Sequence, residues 1–178
     1  MSTRERLIAA FREHVAPRLA SSPLALEVGE RIANAFLRSA GSGSRRVLSH
    51  FALELTKKAY RGKGRRTVWT NVFAPTELVH AAGLVPFSPE VASATAASLG
   101  LAERMLEAAE GDWISADTCA FHRCALGGAV LGYLPEPAAL VTTHHLCDGN
   151  AQMFRSAAAH YGRPCYVVDT PHPGGRAA

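Results

Sequence analysis

The chain has 178 residues, of which 48% are apolar and 19% charged. This length and composition suit one globular domain with a single core and exclude a disordered chain. No apolar run reaches the length of about 18 to 20 residues that a membrane-spanning helix needs, so we predict neither a membrane anchor nor a secretory signal. Four cysteines are too few for a secreted disulfide scaffold. We therefore expect a cytoplasmic protein whose cysteines are free thiols.

The net charge of +4 is unevenly distributed. Residues 1–66 contain 14 Lys or Arg and 5 acidic residues, a net +9, whereas residues 67–178 contain 5 and 10, a net −5. The basic run at residues 57–66 is compatible with binding to nucleic acid or an acidic partner. We favour a solvated helix end and linker, because no nucleic-acid motif accompanies the run and aromatic residues do not alternate with its charges.

The N-terminal third predicts helices. Apolar residues recur at helical spacing over residues 7–19 and 24–36, with charged residues on the opposite faces. A third helix is predicted from about residue 45 to residue 60. The sequence therefore predicts a basic helical segment at residues 1–66, followed by a second unit at residues 67–178.

Strands and helices alternate after residue 66. This alternation predicts an α/β lobe with a parallel, doubly wound sheet of the Rossmann or flavodoxin type. Gly127, Gly128 and Gly132 predict close packing along one helix, and Gly83 is expected to end another. The predicted strands cover residues 67–73, 84–87, 138–143 and 164–169, and the predicted helices cover residues 75–83, 90–109, 117–134 and 148–161.

Ligands of such sheets bind beyond the carboxyl ends of the strands, near helix N-termini. This rule selects Asn71 after the first strand, Glu90 after the second, residues 144–148 after the third and residues 169–172 after the fourth. Asn71 and Glu90 are thus candidates for hydrogen bonding to a substrate. For Glu90 the alternative is a helix-start carboxylate stabilised by the helix dipole.

Two cysteines, Cys119 and Cys147, lie at predicted helix N-termini next to the expected capping residues Asp117 and Asp148. A helix N-terminus favours the thiolate, which ligates metals or attacks electrophiles. The four cysteines are separated by 4, 22 and 17 residues, which excludes a zinc ribbon and is better suited to an iron–sulfur cluster.

An alternative is that the cysteines are ordinary core thiols. Cys165 lies in an apolar strand, and Cys124 points about 140° away from Cys119 on the same helix. His144 and His145 are either ligands or acid–base groups near the cysteines, or hydrogen-bonded loop residues. The sequence lacks a GxGxxG fingerprint, a Walker loop, an H-E-x-x-H motif and a nucleophile elbow. No pattern identifies a catalytic acid, base or nucleophile.

Three segments together resemble the 2-hydroxyacyl-CoA dehydratase family, which includes benzoyl-CoA reductase subunits and double-cubane-cluster proteins. VWTNVFAPTELVHAAGLVPFSPE contains a P-x-E-L-x-x-A-A-G-x-x-P signature at residues 75–86. DTCAFHRCALGG resembles the family's Cys-x-x-x-Arg helix start, with Cys119 and Arg123 in position. AALVTTHHLCDGNAQMF resembles its strand followed by Cys-Asp, with Cys147 and Asp148 in position.

This resemblance implies that Cys119 and Cys147 ligate a [4Fe–4S] cluster between two α/β lobes. It further implies an acyl-CoA substrate, an ATP-dependent activator that donates one electron, and lyase chemistry in which a ketyl radical loses a hydroxyl group. We expect this chain to correspond to the first lobe only. Either a complementary lobe or subunit supplies the other ligands, Cys124 or Cys165 substitutes, or the chain is a truncated remnant. The alternative function is a cluster-free α/β binding or scaffold domain.

Overall fold

The computed structural model describes most of the chain after residue 42. The helices predicted over residues 7–19 and 24–36 lie outside the described residues, apart from two helical positions. The described residues are 43–62, 64–98, 100–110, 114–145 and 147–169, together with Glu27 and Arg31.

The described residues form an α/β fold, as predicted. Four parallel strands form one sheet in the order β2-β1-β3-β4, with helices on both sides. None of the helices in the described part of the chain has both the length and the apolar character of a membrane span. The elements are α1 (Gly43–Arg61), β1 (Thr67–Thr70), α2 (Thr76–Ala81), β2 (Val85–Phe87), α3 (Pro89–Ser98), α4 (Ala102–Glu110), α5 (Ala120–Val130), β3 (Ala139–Thr143), α6 (Asp148–Tyr161) and β4 (Cys165–Val168).

The core is built around the central strand β1, all four residues of which are buried. This pattern is typical of a parallel strand covered on both faces. Trp69 is fully buried and donates its indole N–H to the carbonyl of Pro135 at 2.9 Å. Helix α1, which precedes β1 in the chain, contributes Ala59 to the core. The hydroxyl of Thr67, at the start of β1, donates to the Ala59 carbonyl at 2.8 Å. The C-terminal end of the basic segment therefore packs on the sheet.

One predicted helix and one predicted strand were wrong in extent. The single helix predicted over residues 90–109 is two helices, α3 and α4, because Gly100 adopts a φ of +70° and breaks the helical path. The first strand ends at Thr70 rather than at Phe73, because Asn71 accepts a hydrogen bond from the Ala74 N–H at 3.1 Å and starts a turn.

The predicted helix ends were confirmed in part. Gly83 follows α2 with a φ of +69°, as expected for a glycine after a helix. The helix predicted to run to residue 134 ends at Val130, shortly before Gly132, whose φ is also +69°. The predicted capping role of Asp117 and Asp148 was wrong, because the N-cap residues of α5 and α6 are the cysteines themselves.

Candidate functional site

Two exposed free thiols lie at the start of neighbouring helices. Cys119 is the N-cap of α5 and Cys147 is the N-cap of α6. The two helices pack against each other. The Cys119 carbonyl accepts the N–H groups of His122 at 3.0 Å and Arg123 at 3.1 Å, which opens α5. Both sulfurs are therefore accessible to a ligand or reagent from outside the chain.

The first turns of α5 and α6 meet at Gly149. A Cβ atom on Gly149 would lie 3.4 Å from His122 Nδ1 and 3.5 Å from Cys147 Sγ. His122 is only 6% exposed and was not among the residues selected from the sequence. The available signal was its position three residues after Cys119, which places both on the same side of one helical turn.

Glu90 connects the loop after β1 to helix α5. Its Oε2 accepts the Val72 N–H at 2.8 Å and the Ser88 hydroxyl at 3.3 Å. Its Oε1 lies 3.8 Å from His122 Nε2, and both side chains are largely buried. Glu90 is therefore both a helix-start carboxylate and part of the polar edge of the sheet.

Asn71 and Asn150 bring further buried polar groups to this edge. Asn71 is fully buried and donates from Nδ2 to the Thr143 hydroxyl at 3.1 Å. The Asn150 N–H donates to the Cys147 carbonyl at 3.2 Å. Neither side-chain Oδ1, nor His122 Nδ1, has a hydrogen-bond partner among the described residues. Since buried polar atoms are usually hydrogen-bonded, this edge has the capacity to bind polar groups.

The other two cysteines lie away from this arrangement. Cys124 is 3% exposed and its sulfur lies 3.8 Å from Met105 Sδ. Burial raises the pKa of Cys124, and a hydrogen bond from Ser93 opposes this only in part. Burial also raises the pKa of Cys165, which packs against the core from β4. The structure thus separates two exposed cysteines from two that are kept as protonated thiols.

An arginine fixes the residue before Cys119. Arg123 Nε donates to the Thr118 carbonyl at 2.8 Å, and its guanidinium pairs with the Glu110 carboxylate at the end of α4. Arg123 therefore connects the loop that carries Cys119 to two helices.

His144 and His145 contact different residues. His144 Nδ1 lies 3.4 Å from the Asp148 carboxylate. The ring of His145 stands edge-on to Phe73, with centroids 6.5 Å apart. These contacts are those expected if His144 and His145 are loop residues rather than ligands. Within the described ranges, no group of three or more Cys, His, Asp or Glu side chains is arranged to hold a metal ion.

Large apolar side chains surround the polar edge and face outward. They follow β1 or belong to the first turns of α3 and α5, and each is at least 50% exposed. They are Val72, Phe73, Val91 and Phe121. Such a group of exposed apolar residues is typical of a surface that another molecule covers.

We expect the exposed thiols to be alkylated faster than the buried ones. In the folded, metal-free protein at pH 8, iodoacetamide should modify Cys119 and Cys147 at least about tenfold faster than Cys124, because burial restricts access and raises the pKa of Cys124. Peptide mass spectrometry over time measures the rates. In denaturant the four rates should converge. Equal rates for Cys124 and Cys119 in the folded protein would contradict this assignment.

One family model matches most of the α/β lobe. Residues 71–178 match a family model described as 2-hydroxyglutaryl-CoA dehydratase, D-component. The matched region is more than half of the chain and contains Asn71, Glu90, Cys119 and Cys147. A search of curated proteins gave no match.

Proposed function

Because the chain belongs to the 2-hydroxyglutaryl-CoA dehydratase D-component family, we propose that it is one lobe of a 2-hydroxyacyl-CoA dehydratase-like iron–sulfur protein. The proposed cofactor is a [4Fe–4S] cluster. The proposed substrate is an acyl-CoA thioester, and the electron donor is an ATP-dependent activator. A complementary lobe or subunit completes the site.

The two exposed cysteines carry this proposal. Cys119 and Cys147 are accessible thiols at the starts of adjacent helices, and soft thiolates are the usual ligands of iron–sulfur clusters. Cys124, which we considered as a weaker ligand, is not included because it is buried against Met105. Cys119 and Cys147 therefore fit the chemistry of the cluster but provide only part of its ligand set.

A partner is proposed to supply the remaining ligands. A [4Fe–4S] cluster normally takes three or four protein ligands, and the described residues offer no group of three. The exposed apolar residues around the polar edge, such as Phe73 and Phe121, support a second lobe or subunit that covers this surface. The partner would then bring its own ligands to the two cysteines.

The residues at the edge of the sheet are proposed to bind and orient the substrate. When bound, the cluster supplies the single electron that makes loss of a hydroxyl group beside a thioester carbonyl feasible. Asn71 Oδ1, which is buried and has no partner among the described residues, would accept the substrate hydroxyl. Glu90, fixed by the Val72 N–H and the Ser88 hydroxyl, would hold the loop that carries Asn71. The apolar rim would exclude water.

Iron binding by the full chain tests this proposal. After anaerobic reconstitution with iron, sulfide and a small thiol that completes the ligand set, we expect a brown protein with measurable iron and sulfide. The double variant Cys119→Ala, Cys147→Ala should remain colourless. The matched controls Cys165→Ala and Cys124→Ala should bind iron like the parent chain. Absence of iron in the parent chain, or unchanged iron in the double variant, would overturn the proposal.

A cluster-free binding domain is the second candidate. It is favoured by the lack of a three-residue ligand group among the side chains that the structure places. Calorimetry with acyl-CoA in the absence of iron distinguishes the two. Binding that is equal in the parent chain and in the double cysteine variant, together with absence of iron, would support the second candidate.

A further inference from the structure

His122 is a buried residue with one ring nitrogen near a carboxylate and the other without a hydrogen-bond partner among the described residues. Its side chain is 7% exposed, and Nε2 lies 3.8 Å from Glu90 Oε1. Nδ1 is buried and has no hydrogen-bond partner among the described residues. A buried imidazole nitrogen normally has a hydrogen-bond partner, because burying it without one is destabilising.

Gly149 lies next to both His122 and Cys147. The position of a Cβ on this glycine lies 3.4 Å from His122 Nδ1 and 3.5 Å from Cys147 Sγ, so the ring nitrogen and the sulfur flank the same open side of Gly149. Cys147 is exposed, and a change of its χ1 rotamer moves the sulfur relative to the ring. A methyl group at residue 149 would occupy the space between them.

We propose that His122 is a positioning residue for Cys147, to whose sulfur its Nδ1–H donates a hydrogen bond. On the other side of the ring, Nε2 faces the Glu90 carboxylate at 3.8 Å. Glu90 is in turn fixed by the Val72 N–H at 2.8 Å, so the orientation of the ring is set by the loop after β1. The role of this contact in cluster binding rests on the proposed function, whereas the contact itself does not.

Such a hydrogen bond would hold the sulfur in one rotamer and stabilise its charge when it ligates a metal. Partners of metal ligands typically contribute tenfold to a hundredfold to metal affinity. A methyl group at residue 149 would contact both Nδ1 and the sulfur and would hinder their closer approach.

The contact is tested first in the metal-free protein. Nitrogen-15 NMR of the imidazoles should show that Cys147→Ala moves the Nδ1 resonance of His122 and leaves Nε2 nearly unchanged. The resonances are assigned by their loss in His122→Asn. Cys119→Ala is the matched control, because Cys119 starts the same helix as His122, and should not move Nδ1. An Nδ1 resonance that does not respond to Cys147→Ala would overturn the proposal.

The role is tested in the reconstituted protein by the rate of iron release to a chelator. We expect release about tenfold faster in His122→Leu and Gly149→Ala. His122→Asn keeps an N–H donor near the Nδ1 position and should release iron at nearly the parental rate, as should the control His80→Leu, since His80 is exposed on α2. Equal rates in His122→Leu and the parent chain would overturn the role. A parent chain without iron would instead refute the proposed function, and the NMR result would still decide the contact.

Discussion

Replacing Gly127 with alanine is expected to lower the free energy of unfolding by at least about 3 kcal/mol, at the upper end of the cost of overpacking a core. A Cβ on Gly127 would lie 1.6 Å from the carbonyl oxygen and 2.5 Å from the carbonyl carbon of Met105. These are backbone atoms of α4, so no side-chain rotation relieves the clash and the two helices must separate. The midpoint of urea unfolding, followed by circular dichroism, measures the effect.

Two other glycines provide graded controls. A Cβ on Gly128 meets the flexible end of the Met105 side chain at 2.5 Å, so Gly128→Ala should cost less. A Cβ on Gly43 meets nothing within 4 Å, and Gly43→Ala should leave the midpoint nearly unchanged. Adding Met105→Ala should relieve the strain of Gly128→Ala but not that of Gly127→Ala. Equal midpoints for the Gly127 and Gly128 variants would show that the close backbone contact does not exist.

The architecture was predictable from the sequence because its signals are local. The β-branched and aromatic residues of β1 are typical of a buried strand. Together with the alternation of strands and helices, they indicate a parallel sheet without knowledge of any contact. Gly127 and Gly128 were expected to permit close packing, and helix α4 is the element that packs there. The break between α3 and α4 was missed because the alanine-rich composition of residues 90–109 suggested one long helix, whereas Gly100 adopts a positive φ.

The candidate site was only partly predictable, because its contacts join distant segments. Cys119 and Cys147 were selected from their place at helix starts. Glu90 was selected from the strand-edge rule, but its bonds to Val72 and its proximity to His122 depend on how three elements pack. His122 was missed since a histidine in the first turn of a helix has no local feature that predicts burial.

The capping residues show a similar limit of local rules. Asp is a preferred N-cap and Asp148 was expected in that role, yet α6 begins with Cys147 as N-cap and neither it nor Cys119 makes a side-chain capping bond. The thiol groups of Cys119 and Cys147 therefore do not cap the helices that they begin. That leaves them available for a ligand from outside the chain.

The stability of the protein is expected to fall between pH 10 and pH 12 through Tyr60. Its hydroxyl donates to the Tyr133 carbonyl at 2.6 Å, and burial raises the pKa of Tyr60 from 10.0 to about 12. Below pH 10 the phenol keeps its proton in both states. Above pH 10 the unfolded chain releases that proton while the folded protein retains it, so unfolding is favoured by about 1.4 kcal/mol per pH unit. Burial raises the pKa of Tyr161 as well, which adds to the same trend.

Tyr60→Phe separates this contribution from that of Tyr161. At pH 8 the variant should be less stable by about 1 kcal/mol, because the hydrogen bond to Tyr133 is lost. Its stability should fall less steeply above pH 10, so the two curves of unfolding free energy against pH cross near pH 11. Tyr166→Phe, which alters a side chain in a residue 61% exposed, should follow the parent chain. Parallel curves for Tyr60→Phe and the parent chain from pH 8 to 12 would show that Tyr60 titrates alike in both states.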